Sequence, residues 1–137
     1  MKISTTARNA AGDSIVSLIE VGATYPNGYI EIRSGSVPPN PQSSPADGLL
    51  LATLGLSSPA FQPFSNGSSI ANTIGEDNNI DNTGIASWAR FYNKDGGAVF
   101  DATITAVGGG GDIQFDSTNF IKGGVVRVNS LTAVMPE

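Results

Sequence analysis

Four consecutive glycines at 108–111 precede Asp112, and this stretch resembles a ligand-binding loop more closely than any other. A phosphate-binding loop needs a lysine followed by serine or threonine, and a dinucleotide-binding loop needs spaced glycines that open a helix. Here the run leads into the alternating segment 112–116, which predicts a strand, so no helix N-terminus can receive a phosphate. The calcium nonapeptide pattern would place aspartate where Ile113 stands. We therefore predict a flexible joint between two strands.

Four aspartates offer a carboxylate pair of the kind used in glycoside hydrolysis: Asp95, Asp101, Asp112 and Asp116. Each lies in or beside a predicted turn, where aspartate forms local hydrogen bonds of its own. The chain has no histidine and no cysteine, which removes the commonest proton shuttle and the strongest nucleophile. We predict a protein that is not an enzyme and has no catalytic residues. A hydrolase that uses an aspartate pair stays open as an alternative.

The segment 74–84 concentrates hard oxygen ligands of the kind that bind calcium. Its spacing does not match the EF-hand loop, which requires a glutamate at the twelfth position. We predict a solvated acidic loop and no metal or cofactor site, while a structural cation bound there stays open. The candidate ligands are Glu76, Asp77, Asn78, Asn79, Asp81 and Asn82.

One predicted strand combines three aromatic residues with an arginine. Trp88, Arg90 and Tyr92 alternate with Phe91, so they share one face of that strand. Such a face can stack against sugars or bases, which would make the protein a carbohydrate-binding module. The interpretation we favour places Trp88 or Phe91 in the core instead.

A single amphipathic helix over about residues 5–20 is predicted from apolar residues at helical spacing. Ser4, Thr5 and Thr6 are candidate caps, and Gly12 weakens the helix by about 1 kcal/mol relative to alanine. We expect the apolar stripe to pack against a sheet or a neighbouring subunit. The stripe consists of Ala7, Ala11, Ile15, Leu18 and Ile19.

Beyond the helix the pattern changes to short strands separated by turns. Alternation places Ile30 and Ile32 on one face of a strand, and the proline-rich segment 36–48 predicts an extended surface loop. Asn66-Gly67 and residues 94–97 predict hairpin turns, and residues 125–135 predict a final strand. We expect one domain, 1–137, that is mainly β. Its predicted architecture is a β-sandwich or jelly-roll-like domain of seven to eight short antiparallel strands with the helix outside.

Composition limits the classes of partner. The formal net charge is −5 and the seven basic residues are scattered, so we predict no nucleic-acid binding. The segment 1–22 has no apolar run long enough for a signal peptide or a membrane span, and we expect no membrane partner. Only 14% of residues are charged, and this neutral polar surface suits a protein that lies against other proteins.

Several blocks, taken in order from about residue 7 to the end, resemble a family of small virion structural proteins of tailed bacteriophages. The shared features are the opening helix, a strand with a proline-rich loop, and a closing pair of strands. The blocks are "ARNAAGDSIVSLIEVG", "GYIEIRSGSVPPNP", "GLLLATLGLSSPAFQPFSNGSSIANTI", "ASWARFYNKDGGAVFDATI" and "GGGGDIQFDSTNFIKGGVVRVNSLTAVMPE".

The resemblance implies a capsid decoration or cement protein at the virion surface, made in the host bacterial cytoplasm. Its implied partner is the major capsid protein or another virion protein, and it implies a homo-oligomer, a dimer or a trimer. A neck or tail protein (a head-tail connector or tail-associated protein) is the alternative within the same setting. We expect the helix stripe and the loop 36–48 to make the contacts.

Overall fold

Residues 1–128 and 130–137 are described by the computed structural model, and in them the N-terminal helix forms where the sequence predicts it. The helix α1 (Thr5–Ser17) begins after Ser4, whose hydroxyl accepts a hydrogen bond from the Ala7 amide at 3.1 Å. A 3₁₀ turn, Leu18–Glu20, continues it. Together they confirm the predicted helix over about 5–20. No helix in the described residues has the length and apolar character needed to cross a bilayer.

The rest of the described chain is mainly β, which confirms the predicted fold class. Nine strands are present in the described residues, one more than the upper predicted number, and most are short. They are β1 (Tyr29–Arg33), β2 (Leu50–Gly55), β3 (Ser68–Ile70), β4 (Gly84–Ile85), β5 (Trp88–Tyr92), β6 (Ala98–Ala106), β7 (Ile113–Phe115), β8 (Asn119–Phe120) and β9 (Thr132–Val134).

Five of these strands form one mixed sheet in the order β2-β1-β5-β6-β7, and β3-β9 and β4-β8 form separate two-stranded ribbons. All pairs are antiparallel except β6 and β7, which run parallel. The prediction of antiparallel strands throughout is therefore wrong at β7. The pairing also does not confirm the sandwich or jelly-roll arrangement, because the described strands form one main sheet and two ribbons.

The inner face of the sheet carries the core. Ile30 and Ile32 of β1 are fully buried, as the alternation predicts, together with Leu51, Leu54 and Phe91. Each such side chain contributes about 1.5–3 kcal/mol through removal from water. The core therefore lies between the sheet and the segments that pack on this face.

Turn chemistry accounts for two of the connections. Asn66 and Gly67 both have positive φ, 52° and 77°, and a pair of backbone hydrogen bonds joins Ser65 to Ser68, which confirms the first hairpin. Gly96 has φ 79° in the second hairpin, between β5 and β6.

The predicted final strand is shorter in the structure. It reduces to β9, while Val126 forms an isolated bridge with Asp77 in the acidic segment. Asn129, which falls inside the predicted strand, lies outside the described residues.

The helix packs on the core with a different face from the one that its apolar stripe predicts. Its buried residue is Gly12, while Ile15 and Leu18 are 38% and 51% exposed. Of the predicted stripe only Ile19, in the 3₁₀ turn, is fully buried. At about 100° per residue, the packed face lies roughly a quarter-turn round the helix from the stripe. The stripe therefore does not pack against the sheet for most of its length. Packing against a neighbouring subunit, the other expectation, stays a prediction.

Polar side chains hold the helix in this orientation. Arg8 donates to the Met135 carbonyl at 2.7 Å. The side-chain oxygens of Asn9 and Asp13 accept the amides of Gly67 and Phe64 at 2.8 and 2.7 Å. The contacts satisfy backbone groups of two distant segments, so the rotation of α1 is set by hydrogen bonds as well as by apolar packing.

Gly12→Ala should destabilise the protein, although alanine is the better helix former. A Cβ at this position would lie 2.5 Å from ring atoms of Phe64, which is itself buried. We expect a loss of about 1–3 kcal/mol in the free energy of unfolding, measured by urea denaturation. Ser14→Ala on the exposed surface of the same helix is the control and should be neutral or slightly stabilising. A Gly12→Ala variant as stable as the parent would contradict this packing.

Candidate functional site

A buried ion pair organises the outer face of the main sheet. Arg90 of β5 is 4% exposed and lies directly opposite Asp101 of β6. Its Nε and Nη2 atoms donate to the two carboxylate oxygens at 2.7 and 2.9 Å, a bidentate arrangement. The hydrogen bonds to Asp101 raise the pKa of Arg90 above its already high ordinary value. The bidentate contact therefore fixes the position of both side chains.

The same guanidinium ties the proline-rich loop to the sheet. Arg90 Nη1 donates to the Ser43 carbonyl at 2.8 Å and the guanidinium lies 5.1 Å from the centre of the Trp88 ring. Trp88 is fully buried, and its indole N–H donates to the Ser34 carbonyl at 3.3 Å. The loop at 36–48 lies at the surface as predicted, but it is anchored to the chain's own sheet. Trp88 is therefore not available to stack on a sugar, and the hypothesis of a sugar-binding face formed by Trp88 and Tyr92 is wrong for Trp88.

Three tyrosines cluster at the other end of this face. The Tyr29 and Tyr92 rings stack with centroids 4.8 Å apart, and Tyr25, 49% exposed, meets Tyr29 edge-on at 5.8 Å. The Tyr92 hydroxyl donates to Glu31 at 3.1 Å. Burial, followed by the charge of Glu31, raises the pKa of Tyr92 to about 12. Tyr92 is therefore a neutral, hydrogen-bonded phenol within this cluster.

The candidate catalytic aspartates do not form a free carboxylate pair. Asp95 accepts the backbone amides of residues 23 and 24, and the first of these bonds, from Ala23, chiefly lowers its pKa. Asp112 accepts the Thr103 amide and hydroxyl, each at 2.9 Å, with its Oδ2. Asp116 lies elsewhere, beside a second cavity. Only Asp101 and Asp112 line a common space, and Asp101 is neutralised by Arg90.

The glycine run joins β6 to β7, and it reverses the chain twice so that the two strands run parallel. A parallel connection ordinarily needs about a dozen residues, so the short path at 107–112 requires unusual dihedrals. Gly108 and Gly110 supply them with φ 88° and 81°. The Gly111 amide donates to the Thr105 hydroxyl and the Gly108 amide to Gln114, both at 3.0 Å. The run is a joint, as predicted, but hydrogen bonds hold it in one shape.

The acidic segment 74–84 covers the edge of β2. Asp77 Oδ2 accepts the Thr53 amide at 3.0 Å, the Asp81 amide donates to the Leu51 carbonyl at 2.7 Å, and the Asn82 side chain donates to Leu50. In the described part of the chain no three acidic, histidine or cysteine side chains converge as metal ligands do. The side chains of Asp77 and Asn82 and the backbone amide of Asp81 therefore satisfy an otherwise open strand edge, which protects the sheet from edge-to-edge association.

One apolar side of the helix is uncovered in the described structure. We define the α1 flank as Ala7, Ala11, Ile15 and Leu18; Ala11 is partly covered and the other three are exposed. Beside the flank lies a cavity of about 200 Å³ between α1, β6 and β9, here called the α1–β9 cavity. Ile15 belongs to the flank and also lines the cavity. The spacing of the stripe predicted the apolar residues. It did not predict the cavity, which is built from segments far apart in sequence.

Replacing Arg90 should loosen the loop over Trp88. Arg90→Leu leaves Asp101 buried without a partner, which we expect to cost about 3–5 kcal/mol of unfolding free energy and to shift Trp88 fluorescence to longer wavelength. Arg90→Lys keeps the positive charge but loses the bidentate contact. Its free energy of unfolding should therefore lie between those of the parent and Arg90→Leu. Arg127→Leu, which removes an exposed pair with Glu76, should change stability by less than about 1 kcal/mol. Equal effects of Arg90→Leu and Arg127→Leu would contradict the anchoring role.

Tyr92 should make the fold sensitive to alkali. Its native pKa of about 12 exceeds the ordinary value of 10.0, so folding favours the neutral phenol. The corresponding stability is fully present below pH 10 and is lost as the pH rises toward 12. Urea midpoints measured across this window should fall less steeply in Tyr92→Phe than in the parent. Identical slopes for the parent and Tyr92→Phe would refute this assignment.

The chain matches no protein-family model, no curated protein and no solved structure in comparisons with known proteins. Among the described residues, the α1 flank and the α1–β9 cavity are the features that best fit a functional site. The carboxylates Asp77, Asp95, Asp101 and Asp112 hold the chain's own amides or an arginine. The candidate site is therefore an apolar binding surface.

Proposed function

We propose that the protein is a non-enzymatic structural protein of a tailed-bacteriophage particle, which binds the head surface as a decoration or cement protein. The exposed α1 flank is the observation that carries the binding role. The ordered resemblance of nearly the whole chain to small phage virion proteins supports the setting. The proposed partner is the major capsid protein or another virion protein.

The α1 flank fits protein binding because it is both apolar and held in place. Leu18 is 51% exposed, while the packed side of the helix is fixed by Arg8, Asn9 and Asp13. A surface that is already ordered loses little conformational entropy when it binds. Interfaces combine such an apolar centre with a polar rim, to which Ser14 belongs here.

A second apolar group supports the proposed homo-oligomer. It lies at and beside the β4-β8 ribbon, where Ile85, Ile121 and Val125 are 62%, 69% and 59% exposed. Ile121 and Val125 line one shallow cavity there. Two separate apolar surfaces allow one contact with the shell and another between copies, and repeated weak contacts on a symmetric shell give durable binding.

The placement of the carboxylates supports a role without chemistry. Asp101 is neutralised by Arg90, and Asp95 and Asp112 accept backbone amides. A general acid or base needs a free proton-transfer atom within reach of a substrate. These side chains instead stabilise turns and strand edges of the fold.

The binding role is tested with glutamates on the α1 flank. Ala7→Glu with Leu18→Glu places two charges on the apolar surface, and we expect at least a tenfold loss of affinity for particles that lack the protein, measured by co-sedimentation. Thr6→Glu with Ala10→Glu adds the same charge to the same helix outside the flank and should bind as the parent does. Equal binding by both double variants would show that the flank is not the contact.

The place in the particle is read from copy number in purified virions by quantitative mass spectrometry. A number comparable to that of the shell subunit supports decoration of the head. A handful of copies would instead place the protein at the neck or tail, and complete absence from particles would overturn the proposal.

A further inference from the structure

We propose that the α1–β9 cavity receives one large apolar side chain of the partner protein, and that the residue next to that side chain is basic. The inference rests on the proposed function for the identity of the partner. The chemistry that the cavity selects follows from its walls and its charge.

The walls of the cavity are aromatic and aliphatic. The ring of Phe100 stacks on Phe91 at 4.3 Å and forms one wall with it, and α1 and β9 form the others. An apolar cavity of about 150 Å³ holds a benzene molecule, so about 200 Å³ is room for a phenylalanine or leucine side chain. The apolar residues that line the space include Phe61, Phe64, Phe91, Phe100, Leu131 and Ala133.

One carboxylate at the cavity has no positive partner. Asp112 is exposed and uses Oδ2 to hold Thr103, while no cation of the described residues lies within ion-pair distance of it. Asp101, which also lines the space, is neutralised by Arg90. The cavity is therefore apolar inside with one uncompensated negative charge at its lining. A lysine or arginine beside the inserted side chain complements that charge.

The position of the cavity makes it an anchor of a larger interface. Ile15 belongs both to the α1 flank and to the cavity wall, and Val134 on the other wall is 67% exposed. A partner on the α1 flank thus lies over the cavity. Side chains that enter desolvated pockets near the centre of an interface supply most of its binding energy.

The test uses phenethylammonium, which combines an apolar ring with a positive charge, and neutral 2-phenylethanol as its matched comparison. Binding of each probe is followed by NMR titration. We expect the ammonium to bind about three- to tenfold more tightly than the alcohol, with shifts at Phe100, Ala133 and Asp112. Asp112→Asn should remove the difference between the two probes. Asp116→Asn removes the same charge away from this cavity and should preserve the difference.

A second variant fills the space. Ala133→Leu should abolish binding of both probes and weaken binding to particles about tenfold or more, while the parent binds particles normally in the same assay. Probe binding that is unchanged in Ala133→Leu, or no preference for the ammonium in the parent, would overturn the inference and leave the proposed function standing. Failure of the parent itself to bind particles would count against the proposed function instead. If Ala133→Leu fails to fold, the Asp112→Asn comparison still decides.

If a second copy of the chain occupies the cavity, the apparent affinity for both probes falls as protein concentration rises. A partner of another kind leaves the affinity of the isolated protein independent of concentration. The first result would overturn the proposal of a separate partner protein.

Discussion

The ion pair between Arg90 and Asp101 is the interaction on which the outer face of the sheet depends. The guanidinium is buried, so it must satisfy its donors within the protein, and it does so with a carboxylate on β6 and a carbonyl in the loop 36–48. The same guanidinium lies 5.1 Å from the centre of the ring of Trp88, which is fully buried. The surface loop 36–48 is thus held to the sheet. The expectation that it also contacts a partner stays a prediction.

The orientation of α1 shows how polar contacts can override an apolar pattern. Gly12 allows the helix to approach Phe64 closely, and Asn9 and Asp13 satisfy amides in the turn that contains it. Those amides would otherwise be buried without partners, at a cost of about 1–3 kcal/mol each. The cost of leaving Ile15 and Leu18 in water is partial, because each is only partly exposed. In the proposed function, a partner buries the parts of Ile15 and Leu18 that stay exposed in the isolated chain. The packing of the helix is thereby linked to the proposed function.

The acidic and glycine-rich segments have a structural explanation of the same kind. Residues 74–84 cover the edge of β2. The loop 107–112 turns the chain so that β7 pairs with β6 in parallel. Asp77 and Asp112 each accept a strand amide that lacks a partner strand. Residue types that suggest metal or phosphate chemistry therefore act here as caps on strand edges. Asp112 differs in that it also faces an apolar cavity.

The sequence by itself determined the features that depend on neighbouring residues: the helix over 5–20, the alternation that buries Ile30 and Ile32, and the turns at Asn66-Gly67 and 94–97. It also identified the apolar residues of the α1 flank, though not the direction they face. The register between paired strands and the rotation of α1 about its axis could be read only from the tertiary structure. Tyr92 pairs with Ala98 but Phe91 with Phe100, and this bulge at Val99 brings Arg90 opposite Asp101. The parallel β7, the rotation of α1 and the α1–β9 cavity likewise arise between distant segments, because hydrogen-bond satisfaction and close packing act across space, where local periodicity carries no information.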